Sequence, residues 1–179
     1  MARAIAEIEQ APRSWFGTLT LAPEQHFRLV ALARQSCAKQ SLDWSSLDDA
    51  DQFKEVCRHL VREVQLFWKR LRKRTGSKFR YLVAIERHKS GAPHVHLLLH
   101  EVRGPVRWAE LSAAWPLGFS HFKLVAEREA AKAAVYVSKY LTKANSRMIA
   151  SAAYGATDRQ EMPPPPLQKN ASQAAGGLL

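Results

Sequence analysis

Residues 79–101 read FRYLVAIERHKSGAPHVHLLLHE. Two apolar stretches, 79–86 and 94–101, flank the polar segment RHKSGAP. Gly91 and Pro93 suit a tight connection, so the segment predicts an antiparallel hairpin. Side chains alternate across a strand. His94, His96 and His100 therefore share one face. Leu97 and Leu99 point the other way, toward a helical layer, and the histidines are expected on a sheet surface open to solvent.

Outward from this hairpin, the chain alternates elements. Upstream, residues 15–21 (WFGTLTL) are β-branched and aromatic and predict a strand. Pro23 ends it and opens a helix over 24–39. Residues 41–50 are polar and irregular, a connecting loop. A long amphipathic helix is expected over 51–74, with Phe53, Val56, Cys57, Leu60, Val61, Val64, Phe67, Trp68 and Leu71 at helical spacing and a stop near Gly76. Downstream, 106–115 predicts a short helix, 119–125 a strand and 128–143 an Ala-rich helix.

Hairpin-linked strands with helices between them define an α+β class: a ferredoxin-like antiparallel sheet with helices packed mainly on one face. The expected division is an N-terminal extension over 1–14, a folded domain over 15–145, and a flexible Pro/Ala/Gly-rich tail over 146–179 that includes four consecutive prolines at 163–166. Truncation after about Ser151 is expected to spare activity.

Composition narrows the function classes. Twenty-seven Lys and Arg against sixteen acids give a net charge of +11 over 179 residues. A basic domain of this size favours a polyanion, and nucleic acid foremost. No apolar window is long enough to span a membrane, and the acidic N-terminus does not resemble a secretory leader. Cys37 and Cys57 form no CxxC, which argues against a cysteine metal site and fits a reducing cytoplasm.

Three groups of residues carry chemistry. His94 and His96 lie about 6–7 Å apart along one strand and can converge on one ion. Glu86, across the hairpin from His94, can add an oxygen ligand. Such a set suits a divalent ion that must also hold a phosphate oxygen. His88 competes as a ligand, whereas His100, roughly 13 Å beyond His96, is too far. Equally, such histidines can serve only as hydrogen-bonded groups on a sheet face. In the second group, Tyr136 and Tyr140 are four apart on one helical face, each followed three residues later by Lys139 or Lys143. They can act as nucleophiles or merely pack on the sheet. The third group, Lys69, Arg70, Arg72, Lys73, Arg74, Lys78 and Arg80, contains no acid and could track a phosphate backbone or form a solvated helix end.

Taken together, FGTLT at 16–20, GAPHVHLLL at 91–99 with Glu86, and AVYVSKYLTK at 134–143 resemble the HUH endonucleases. The closer resemblance is to the rolling-circle replication initiators of single-stranded DNA phages, the microviruses, in the two-tyrosine branch. It covers roughly residues 15–145. The resemblance implies an enzyme that nicks single-stranded origin DNA through tyrosine attack. The 5′ phosphate stays on the tyrosine, a 3′-OH is released for rolling-circle replication, and the strands are later rejoined. It implies Mg²⁺ or Mn²⁺ on His94, His96 and Glu86, nucleophiles Tyr136 and Tyr140, and helper lysines Lys139 and Lys143. A host helicase and polymerase in a bacterial cytoplasm are the implied partners, since no GxxxxGK[ST] helicase motif occurs.

Other readings stay open on sequence: a single-tyrosine transposase or relaxase-like enzyme of the same superfamily, a non-catalytic basic nucleic-acid-binding module, and a metal hydrolase that forms no covalent adduct.

Overall fold

The computed structural model describes residues 2–126, 131–133, 135, 147–152, 154 and 155. Strands β1 (Ser14–Thr20), β2 (Lys78–Arg87), β3 (Pro93–Arg103), β4 (Ser120–Leu124) and β5 (Arg147–Ala150) form one sheet in the order β4-β1-β3-β2-β5. Every neighbouring pair is antiparallel. β3 lies between β1 and β2, the split arrangement of a ferredoxin-like unit, and β5 extends it beyond β2. The expected hairpin is present. His88 N–H donates to Ala92 O and Gly91 N–H to His88 O, which closes the turn between β2 and β3.

Helices α2 (Pro23–Lys39), α3 (Asp49–Thr75) and α4 (Trp108–Ala113) cover one face. The apolar stripe of α3, from Phe53 through Leu60 and Phe67 to Leu71, packs on Val83, Ile85, Val95, Leu97 and Leu99. Each such large side chain contributes about 1.5–3 kcal/mol on burial, so packing holds this helix more than propensity does. Its ends are set locally. Asp48 Oδ1 accepts from Asp51 N–H, and Gly76, with φ 64°, donates its N–H to Arg72 O. Gly17 admits the core beneath β1, because a Cβ there would lie 2.6 Å from the Phe122 ring. Both cysteines are buried and free.

The opposite face carries a smaller layer. Helix α1 (Ala2–Gln10) buries Ala4 and Ile8 against Ala84 and Leu98, with Phe16, Leu82 and Met148 around them. The stretch expected as an N-terminal extension thus supplies a helix to the second face, though most helical mass sits on the first. β5 lies inside the stretch expected as tail. It pairs Leu82–Ile85 of β2 with Arg147–Ala150, so the sheet continues further along the chain than composition suggested. Among the described residues no helix is long and apolar enough to cross a membrane.

Candidate functional site

The β2–β3 register sets Glu86 directly opposite His94, and β3–β1 sets His94 beside Thr20 and His96 beside Thr18. Paired residues in an antiparallel ladder share a face, so these side chains meet at one end of the sheet. Glu86 Oε1 lies 3.0 Å from His96 Nε2, and Thr18 Oγ1 lies 3.3 Å from His96 Nδ1. The His94 and His96 rings are 5.0 Å apart, and His88 stacks on His94 at 5.4 Å. His88 itself belongs to the turn, where its Nδ1 contacts Ser90 Oγ at 2.9 Å. The surface is less open than expected. His96 is only 4% exposed, beneath the stacked Phe16 ring and beside Glu86, while His94 is half-buried.

Burial holds His94 below the usual imidazole range, helped by the neighbouring His96 and His88 and opposed by Glu86. A neutral imidazole keeps a lone pair for an ion. One carboxylate and two imidazoles are a donor set that fits Mg²⁺ or Mn²⁺ with positions left for phosphate oxygens. As they stand, however, no three His, Cys, Asp or Glu side chains among the described residues are disposed around a common ion position. His96 Nε2 is engaged by Glu86, and ion binding would replace that contact. Thr18 was not singled out in the sequence. Its alternation within 15–21 was legible, but its place beside His96 required the β1–β3 register.

Tyr136, Lys139, Tyr140 and Lys143 lie outside the described residues. Residues 131–133 and 135, at the start of the same expected helix, are helical.

The basic run divides. Arg80 is buried at 7% exposure, and its Nε sits 2.7 Å from Glu7 Oε2. It binds α1 to the sheet and is not a surface phosphate contact, which corrects the sequence expectation. Arg74 pairs with Glu110 at 2.6 Å, Arg70 reaches Glu63 at 3.9 Å, and Arg72 lies 4.8 Å over the Phe79 ring. Lys69, Lys73 and Lys78 are exposed. This cluster stands near the Lys78 end of β2, eight residues or about 26 Å along the strand from Glu86. Its α3 members belong to the opposite layer.

A second polar group was not foreseen. His100 is fully buried, with Nδ1 2.8 Å from Ser14 Oγ and Nε2 3.2 Å from Tyr154 OH. Burial, and secondarily Arg80, depress its pKa to about 4, and burial with Glu7 pushes the Tyr154 hydroxyl upward. Gly155 N–H donates to Glu7 Oε1 at 2.6 Å. Both nitrogens of His100 are engaged in this anchor. Tyr154 fastens the chain beyond β5, so residues past Ser151 contribute to the fold.

Comparison with protein families finds a match over residues 14–145 to a family of replication-associated proteins, the ORF2 type. Comparisons with curated proteins and with solved structures gave no match. The matched span takes in β1 through β4, the Glu86–His94–His96 end of the sheet and the segment bearing Tyr136 and Tyr140. It covers well over half of the 179 residues, and the chain belongs to this family of replication-associated proteins.

Proposed function

We propose that the chain starts replication by nicking single-stranded origin DNA and later rejoining it, with Tyr136 and Tyr140 as nucleophiles. The observation that carries this reading is the meeting of Glu86, His94 and His96 on adjacent strands, with Glu86 Oε1 3.0 Å from His96 Nε2. Membership of a replication-associated family supports the same direction.

A bound Mg²⁺ or Mn²⁺ would polarise a phosphate oxygen and hold it in place. Glu86, His94 and His96 supply the ligands, and Thr18 orients His96 through Nδ1. A tyrosine oxygen attacks phosphorus and forms the P–O bond as the bond to the 3′ oxygen breaks. The leaving oxygen takes a proton and becomes a 3′-OH. Lys139 and Lys143, one turn from each tyrosine, lower the cost of the phenolate, whose ordinary pKa of about 10 disfavours it at neutral pH. The transferred phosphate stays activated on the tyrosine, so rejoining needs no nucleotide hydrolysis.

The test is incubation with single-stranded oligonucleotides tiling the replicon that encodes the chain, plus a divalent ion. A protein–DNA species that survives denaturation supports the reading. Cleavage without such a species would instead indicate hydrolysis.

A further inference from the structure

On the helical side of the same sheet end, a cleft opens between α2, the Trp44–Ser46 turn, the start of α3 and the β2–β3 turn. Its volume is about 210 Å³, and its walls include His26, Arg34, Trp44, Phe53 and Arg87. Each aromatic wall is faced by a guanidinium. Arg34 Cζ lies 5.6 Å from the Trp44 ring centroid, and Arg87 Cζ lies 5.9 Å from that of Phe53. Stacked arginine–aromatic pairs offer flat surfaces for a base and edge N–H donors for a phosphate.

The size is selective. One water occupies about 30 Å³ of liquid, and pockets for whole drug-sized ligands begin near roughly 300 Å³, so this cleft suits one ring system and its attachment. Burial keeps His26 below the usual imidazole range, making it a neutral hydrogen-bonding wall. The carboxamide nitrogen of Gln52 donates to Trp44 O and Leu47 O at 3.2 and 3.1 Å, which fixes the turn that presents Trp44. The acid at the cleft is Asp49, 84% exposed, with a long 3.4 Å contact to Arg87. Such a contact is screened by solvent and leaves the two arginines dominant.

Position adds the second argument. Arg87 follows Glu86 directly, so their Cα atoms are about 3.8 Å apart while their side chains leave opposite faces of β2. A strand of DNA rounding this end of the sheet would meet the Glu86–His94–His96 group on one face and the cleft on the other.

We propose that this cleft binds one unstacked nucleotide of the DNA strand being processed, its base against Trp44 and its phosphate on Arg34 and Arg87. The identity of the strand rests on the nicking reading above. The binding test does not depend on cleavage.

Affinity for a labelled mixed-sequence single-stranded oligonucleotide is measured for the native chain, for Arg34→Glu/Arg87→Glu, and for Lys39→Glu/Arg62→Glu. The last pair makes the same charge change at exposed positions further along α2 and α3. A tenfold or greater loss in the first double variant, with about twofold or less in the second, is expected. Oligonucleotides carrying 5-iodouracil should photocross-link to Trp44, and free deoxynucleotide should compete only weakly. Equal losses in the two variants, or cross-linking that avoids Trp44, overturns the proposal. Tight binding of free deoxynucleotide without the oligonucleotide effect also overturns it. Cleft-dependent binding with no covalent adduct would support the cleft and count against the nicking reading alone.

Discussion

Thr18 Oγ1 sits 3.3 Å from His96 Nδ1, on the side of the imidazole away from its 3.0 Å contact with Glu86. A threonine hydroxyl can donate to a bare Nδ1 or accept from a protonated one, so it serves either tautomer. When Glu86 holds Nε2–H, Thr18 donates. When an ion takes the Nε2 lone pair, Thr18 accepts. Outer contacts of this kind tune metal affinity about 10–100-fold. Thr18→Val, which keeps the shape and removes the hydroxyl, should weaken Mn²⁺ binding by about tenfold with little change in thermal stability. Titration calorimetry reads the first and a melting curve the second. Unchanged Mn²⁺ affinity would separate Thr18 from the site.

His94→Ala and His96→Ala should each abolish adduct formation. Glu86→Gln keeps the volume but loses the ligand charge, and should need far more Mn²⁺ for the same rate. Gel separation of denatured adduct across a metal titration checks all three. Full activity of the double histidine variant, or in excess chelator, would remove the metal assignment.

The basic residues should split by burial. Arg80→Ala leaves Glu7 buried without its cation and should cost about 3 kcal/mol in urea unfolding. Lys69→Ala and Lys73→Ala should leave stability within about 0.5 kcal/mol and reduce the salt slope of DNA binding by roughly one per lost contact. An Arg80 variant of native stability and weakened DNA binding would restore it to the interface.

Acid should act through His100. Its folded pKa of about 4 lies below the ordinary 6.5, so the unfolded chain takes up the proton first. The stabilisation is complete above about pH 6.5, declines as pH falls from there through about 4, and amounts to roughly 3 kcal/mol. In His100→Asn the loss over that window should shrink. Urea midpoints between pH 7 and 4 give the comparison, and parallel curves for the two proteins would contradict it.

The fold was legible where the signal is local. The β2–β3 hairpin followed from alternation and the Gly91–Pro93 turn, and it set Glu86 opposite His94 as the register confirms. The α3 stripe followed from its period. Other features depended on distant partners. Arg80 looked like one more cation after the α3 run because Glu7, its partner, lies 73 residues upstream. Tyr154 sat in an Ala-rich stretch with no periodicity, and only the folded sheet brings it to His100. β5 is four residues long, too short for a pattern to emerge.

The central claim is most directly tested by locating the covalent bond. The native chain, Tyr136→Phe, Tyr140→Phe and the double variant are incubated with single-stranded origin DNA and Mn²⁺, and adduct peptides are read by mass spectrometry. The account predicts 5′-phosphotyrosine at Tyr136 or Tyr140, residual single nicking but failed repeated rounds in each single variant, and no adduct in the double variant. An adduct on any other residue, or an undiminished one in the double variant, would contradict it.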